Sequence, residues 1–196
     1  MRPAILFLLT GLLLSPAIGH TQVNYPPPGY PGQGNEENPG VLLHDGIEKL
    51  LAFVEGGGAN DQRKLAAFVE RDLTPYFDFV TMTRWSLGPQ ARFMDQEQRL
   101  AAVKQLRGMF LGALVRNLLQ YDPGRVQYLP ARGDAYTGDV ILGLQSFPRR
   151  GYPLQLDFYV HRGAAGWRVV DVAANGLRAT TVYREYFNRR GPGWGP

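Results

Sequence analysis

Residues 152–173 read YPLQLDFYVHRGAAGWRVVDVA, and this stretch decides the fold. Tyr152, Leu154, Leu156, Phe158 and Val160 alternate with Gln155, Asp157, Tyr159 and His161. That period of two puts apolar and polar side chains on opposite faces of a strand. Gly163–Gly166 reverses the chain, and Trp167–Ala173 follows as a second strand. Upstream, Tyr136–Gln145 alternates through Val140, Leu142 and Leu144, with a turn at Phe147–Gly151. Val126–Leu129 is a shorter strand before it. Four strands in sequence, joined by short turns, make an antiparallel meander.

Towards the N-terminus the period changes to 3.6. Val41–Glu55 carries apolar residues at 43, 47, 50, 51 and 54, and Gly56-Gly57-Gly58 ends that helix. Asn60 is placed to cap a second helix, with Leu65, Phe68, Val69 and Leu73 on one side and Pro75 as its breaker. Tyr76–Leu87 is a short aromatic-rich segment closed by Gly88-Pro89. Asp95 and Gln98 form a capping box for the longest helix, which runs to about Gln120. Its apolar face is Leu100, Val103, Leu106, Met109, Phe110, Ala113, Leu114 and Leu118, and Asp122-Pro123-Gly124 stops it. After the strands, Gly176 opens a final helical stretch, Leu177–Asn188. The expected class is α+β: N-terminal helices packed on one face of a four-stranded antiparallel meander sheet, with a C-terminal helix. The long helix is the expected cover of the apolar sheet face.

The ends read differently. Arg2, the apolar run Ala4–Leu14 and the small residues Ala17 and Gly19 give residues 1–19 the form of a cleavable export signal. Eleven apolar residues in a helix span about 16 Å, too short for a bilayer core of about 30 Å. Residues 20–40 are rich in Pro, Gly and Asn and read as a linker. A single domain is expected over 41–190, with a flexible tail at 191–196.

Composition closes most routes to catalysis. No cysteine occurs, which removes disulfides, thiolate metal sites, cysteine nucleophiles and a lipid-acylated N-terminus. Histidine and serine occur three times each. No G-x-S-x-G, H-E-x-x-H or phosphate-binding loop is present. Asp157 and Asp171 fall on neighbouring strands, as a carboxylate pair would require, but arginines abundant nearby offer the same acids a structural partner. Net charge is +4, and from Pro148 onward eight arginines face three acids. Such a basic end suits phosphate headgroups or an acidic partner. An export signal and the lack of any nucleic-acid-binding motif argue against DNA or RNA.

One family gathers these features. Asp72–Gly88 (DLTPYFDFVTMTRWSLG) resembles an early signature of the MlaC-like, toluene-tolerance auxiliary proteins: Pro75, the Phe77-Asp78-Phe79 step and Leu87-Gly88. Glu97-Gln98 and Phe110 suit the family's long helix. Pro153–Tyr159, the W-x-V-x-D-V strand from Trp167, and then Gly176, Arg184 and Phe187 follow in order. The resemblance spans about Val41–Asn188 and implies a periplasmic phospholipid carrier, without cofactor or metal, whose cargo is bound phospholipid. It further implies exchange with an inner-membrane ABC-transporter complex and an outer-membrane lipoprotein complex. A monomer is expected.

A carrier needs a dry cavity and a wet mouth. The expected wall is Leu106, Met109, Phe110 and Leu114 opposed to Leu142, Leu156 and Phe158, with Phe77, Phe79, Val80 and Trp85 closing one end. The last helix, with Val182, Tyr183 and Phe187, would be a lid. Arg149, Arg150, Arg178 and Arg184 would meet the headgroup or an acidic partner. Three other readings use the same residues: a carrier of another apolar ligand such as a hopanoid or isoprenoid, an enzyme using Asp157 and Asp171, and an adaptor with a solid core.

Overall fold

The computed structural model describes residues 38–118, 125–134, 138–147, 152–164 and 166–190. The export signal, nearly all of the linker, the tail, the stop after the long helix, and Arg149 and Arg150 lie outside the described residues.

Helix α1 (Pro39–Glu55) starts where the Asn38 side chain accepts a hydrogen bond from the Gly40 N–H at 2.8 Å. Helix α2 (Gln62–Phe68) is capped by Asp61, not Asn60: its carboxylate accepts from the N–H groups of Arg63 and Lys64. An ionised carboxylate also suits the positive end of the helix dipole, which favours it over the neighbouring amide. A wide π turn at Val69–Leu73 and a 3-10 turn at Thr74–Tyr76 lead to α3 (Phe79–Leu87). A 3-10 segment over Gly88–Phe93 joins α3 to α4 (Gln96–Leu118). The expected capping box opens α4: Gln98 N–H donates to Asp95 Oδ1 at 2.8 Å, and Asp95 N–H to Gln98 Oε1 at 3.0 Å.

Among the described residues the sheet has six strands, two more than the sequence suggested: β1 (Arg125–Tyr128), β2 (Arg132–Asp134), β3 (Asp139–Phe147), β4 (Leu154–Gly163), β5 (Gly166–Ala174) and β6 (Leu177–Arg178). The order is β1-β3-β4-β5-β6, with β2 also on β3. Every pairing is antiparallel. β1 and β2 are two pieces of one edge, and Pro130 between them has no N–H to continue the ladder. β6 arises because Asn175 and Gly176 both take positive φ, 47° and 83°. That geometry is a two-residue hairpin turn, so Leu177 pairs back with Ala174 before helix α5 (Ala179–Arg190) begins.

The register aligns one apolar face. Val140 pairs with Val160, Leu142 with Phe158, Leu144 with Leu156, and Phe158 with Val172. α1 covers this face, with Leu43 in one buried cluster with Val140, Leu142, Val160, Trp167 and Val169. The long helix is not the cover. α4 packs on α2 and α3, and Ala102 and Leu106 are fully buried in that helical cluster. The aromatic residues of α3 supply apolar surface for α4, and α1 covers this apolar face of the sheet.

Candidate functional site

Two apolar cores result. The helical core centres on Leu65, Phe68, Met82, Leu106 and Phe187, and the sheet core on Leu43, Val140, Leu142, Val160, Trp167 and Val169. Among the described residues Phe77 packs against both. Its ring lies 5.0 Å from Phe110 and 5.6 Å from Phe79, and Phe79 lies 5.7 Å from Phe110. The backbone fixes Phe77 there. Asp78 N–H donates to the Val169 carbonyl at 2.9 Å, so the chain entering α3 forms a short parallel bridge with β5. Asp78 then caps α3, accepting from the N–H and hydroxyl of Thr81.

The expected wall is divided between these cores. Leu106 is fully buried, and Met109, Phe110 and Leu114 lie half-buried around the helical core. Leu142 is buried in the sheet core, with Phe158 half-buried against it. Leu156 is half-buried beside them on the same face of β4. Half-buried apolar side chains thus stand on both sides of Phe77. Such side chains keep apolar area available to a ligand, which a closed core does not.

Val80, Trp85 and Val182 separate from this seam. Phe79 is buried towards the helical core, while Val80, the next residue, is 65% exposed. Val80 and Trp85 line a groove of about 650 Å³ between α3, the 3-10 segment and α4. Val182 is half-buried outside both cores. α5 is no loose lid: its Phe187 is fully buried in the helical core, with Tyr183 and Tyr186 packed beside it.

The family described as MlaC protein matches residues 46–190. The chain belongs to the MlaC family. No curated protein sequence matches it. Among solved structures it is similar to the phospholipid-binding protein of Ralstonia solanacearum, determined in complex with a phospholipid. The TM-score is 0.68 at 23% identity, over 76% of this chain and 87% of that one. This likeness is one of fold.

In this MlaC-family chain the two described candidate arginines have structural partners. Arg178 Nε donates to Asp171 Oδ2 at 2.6 Å, and its guanidinium lies 4.1 Å over the Tyr159 ring. Arg184 donates to the carbonyl of Trp85 at 2.7 Å, tying α5 to α3. The two strand carboxylates do not form a dyad. Asp171 is held by Arg178 and Thr180, while Asp157 accepts from Arg132 at 2.6 Å and from the Gln155 amide. Among the described residues no cluster of three or more His, Asp or Glu could hold a metal, and no helix is long and apolar enough to cross a membrane.

Sequence reasoning missed the contribution of α1. Leu42 and Ile47 pack on the sheet core, and Leu50 and Phe53 on the helical core, so one helix spans both. The signal was the single apolar stripe at 43, 47, 50, 51 and 54, which runs along the whole helix. Sequence reasoning also missed the arginines of the groove, Arg84, Arg92 and Arg99. They lie on three separate elements and share no motif.

Proposed function

We propose that this chain is a periplasmic phospholipid carrier that holds acyl chains at the seam between its two cores. One observation carries the reading: a member of the MlaC family presents half-buried Met109, Phe110 and Leu114 on one side of Phe77, and Phe158 and Leu156 on the other. The phospholipid seen with the similar Ralstonia solanacearum protein agrees with it. The chemistry needed is burial alone. Each methylene removed from water contributes about 0.8 kcal/mol, so two chains of about fifteen carbons supply about 20 kcal/mol gross. A bilayer offers a similar amount, and exchange between the two is then close to neutral, as a shuttle requires. No covalent step is called for, and the carboxylates Asp157 and Asp171 serve the fold.

In this reading Phe77, Phe79, Met109, Phe110, Leu114, Leu142, Leu156 and Phe158 line or back the acyl site, and Leu106 supports it from behind. Arg149 and Arg150 remain the headgroup candidates. Cargo passes between an inner-membrane ABC-transporter complex and an outer-membrane lipoprotein complex, and the chain works as a monomer.

The test is native mass spectrometry of mature protein purified from the periplasm without detergent, followed by solvent extraction. About one diacyl phospholipid per chain supports the carrier and names the headgroup. A lipid without phosphate replaces the cargo with another apolar ligand. Clean protein that takes up no lipid from vesicles overturns the reading.

A further inference from the structure

The groove beside α3 is a separate feature, and an inference from it does not rest on the lipid reading. On α3, Val80, Thr83, Arg84 and Leu87 recur at i, i+3, i+4 and i+7, so they share one face. Val80 and Leu87 of that face, with Trp85, Ala91 from the 3-10 segment and Val103 from α4, make an apolar floor. Arg84, Arg92 and Arg99 stand around it, one from each element, and all three are exposed. Several arginines elsewhere pair with acids: Arg71 with Asp72, Arg107 with Glu70, Arg132 with Asp157, Arg178 with Asp171. Among the described residues Arg84, Arg92 and Arg99 have no carboxylate partner.

From this we infer that the groove docks an acidic peptide segment of a partner protein, with an apolar side chain seated over Trp85 and Val103 and carboxylates meeting the three arginines. The shape and chemistry agree. A cavity of about 650 Å³ has room for several side chains. Tryptophan and arginine are the residues that most often dominate protein interfaces. The floor is also preformed, because Arg184 holds the Trp85 carbonyl and Leu87 is buried. A lipid bilayer fits less well: its surface is flat and would leave the concave floor wet.

The test begins with selection of random twelve-residue peptides displayed on phage against the full mature chain. Recovered peptides should combine acidic residues with an aromatic or aliphatic anchor. Synthetic versions should lose about tenfold or more in affinity on the triple change Arg84→Glu, Arg92→Glu, Arg99→Glu. Val80→Asp, at an exposed position, should weaken them independently should the triple variant fold poorly. Far-ultraviolet circular dichroism and lipid occupancy should stay as in the parent for both. Peptides without acidic enrichment, or peptides that bind the charge-reversed chain equally well, overturn the proposal. So does vesicle binding to phosphatidylglycerol that the triple change abolishes while no peptide binds, since the groove would then be a membrane contact. Self-association lost in the same variant would assign the groove to a second copy and also overturn it.

Discussion

The carboxylate of Asp171 on β5 accepts hydrogen bonds from both the backbone N–H and the hydroxyl of Thr180, at the start of α5. Asp171 and Thr180 are both buried. The same carboxylate holds Arg178 Nε, and its Oδ1 also accepts from the N–H of Val172. One acid therefore satisfies donors that the hairpin and the helix start would otherwise bury unpaired.

Asp171→Ala should destabilise the chain by about 2–4 kcal/mol, because buried donors lose their acceptor. Thr180→Val keeps the shape and removes one hydroxyl bond, at a cost of about 1–2 kcal/mol. Urea denaturation of both variants measures this. A loss below about 0.5 kcal/mol for Asp171→Ala would show that the tie contributes little.

The acyl site gives a second expectation. Met109→Asp and Phe158→Asp place a carboxylate among half-buried side chains where water still reaches, so the fold should survive. Co-purifying lipid should fall about tenfold or more, since a charge facing the acyl chains costs well over 1.4 kcal/mol. Leu106→Ala should behave oppositely, losing about 2–5 kcal/mol of stability from a fully buried position. Lipid extraction beside thermal melts separates the two classes.

Acid should expose a surface triad. Asp45 accepts from the Tyr76 hydroxyl and from Lys49, and these hydrogen bonds, Tyr76 first, hold its carboxyl below the ordinary 3.8. A depressed carboxyl stabilises the fold above its unfolded value, and the contribution disappears as pH falls through the folded value. Asp45→Asn should therefore lower the melting temperature by a steady amount from about pH 7 to pH 4, with the difference closing below that. Half-exposed partners make the effect small, and added salt should shrink it. A difference that persists at pH 2 would mean the loss is steric.

Alkali should act through Tyr183. Burial pushes its phenol up to about 12 from the ordinary 10.0. The unfolded chain then ionises first, so stability is complete below pH 10 and is lost as pH rises from there towards 12. Burial raises Tyr128 to about 12 as well, so Tyr183→Phe should flatten only part of the alkaline slope. Urea titrations between about pH 9 and 11.5 would read it. An unchanged slope would place the titration elsewhere.

Much of this was legible in the sequence, for identifiable reasons. The alternation of Leu154 to Val160 gave β4 its faces, and the Asp95–Gln98 box gave α4 its start. Both are local signals. Asn175-Gly176 is an equally local hairpin dipeptide, but reading Gly176 as the opening of the last helix hides β6. β2 is three residues long and contains Gly133 at a φ of 103°, so no alternation could reveal it. The pairing of helices with the sheet was not local at all. Leu106 and Leu142 are each apolar and well placed, but nothing in their spacing says that they belong to different cores. For the same reason Phe79 and Val80, adjacent in sequence, were grouped together although α3 turns one inward and the other out.

Among the described residues, bonds that moor α3 and α5 to the sheet fall within Val169–Asp171: the Val169 carbonyl holds Asp78, and the Asp171 carboxylate holds Thr180. A one-residue slip of β5 would carry both acceptors to the wrong place at once. Loss of β5 would therefore release α3 and α5 together. The chain should lose its structure in one cooperative transition despite its divided interior, with the amides of this short stretch among the slowest to exchange with solvent.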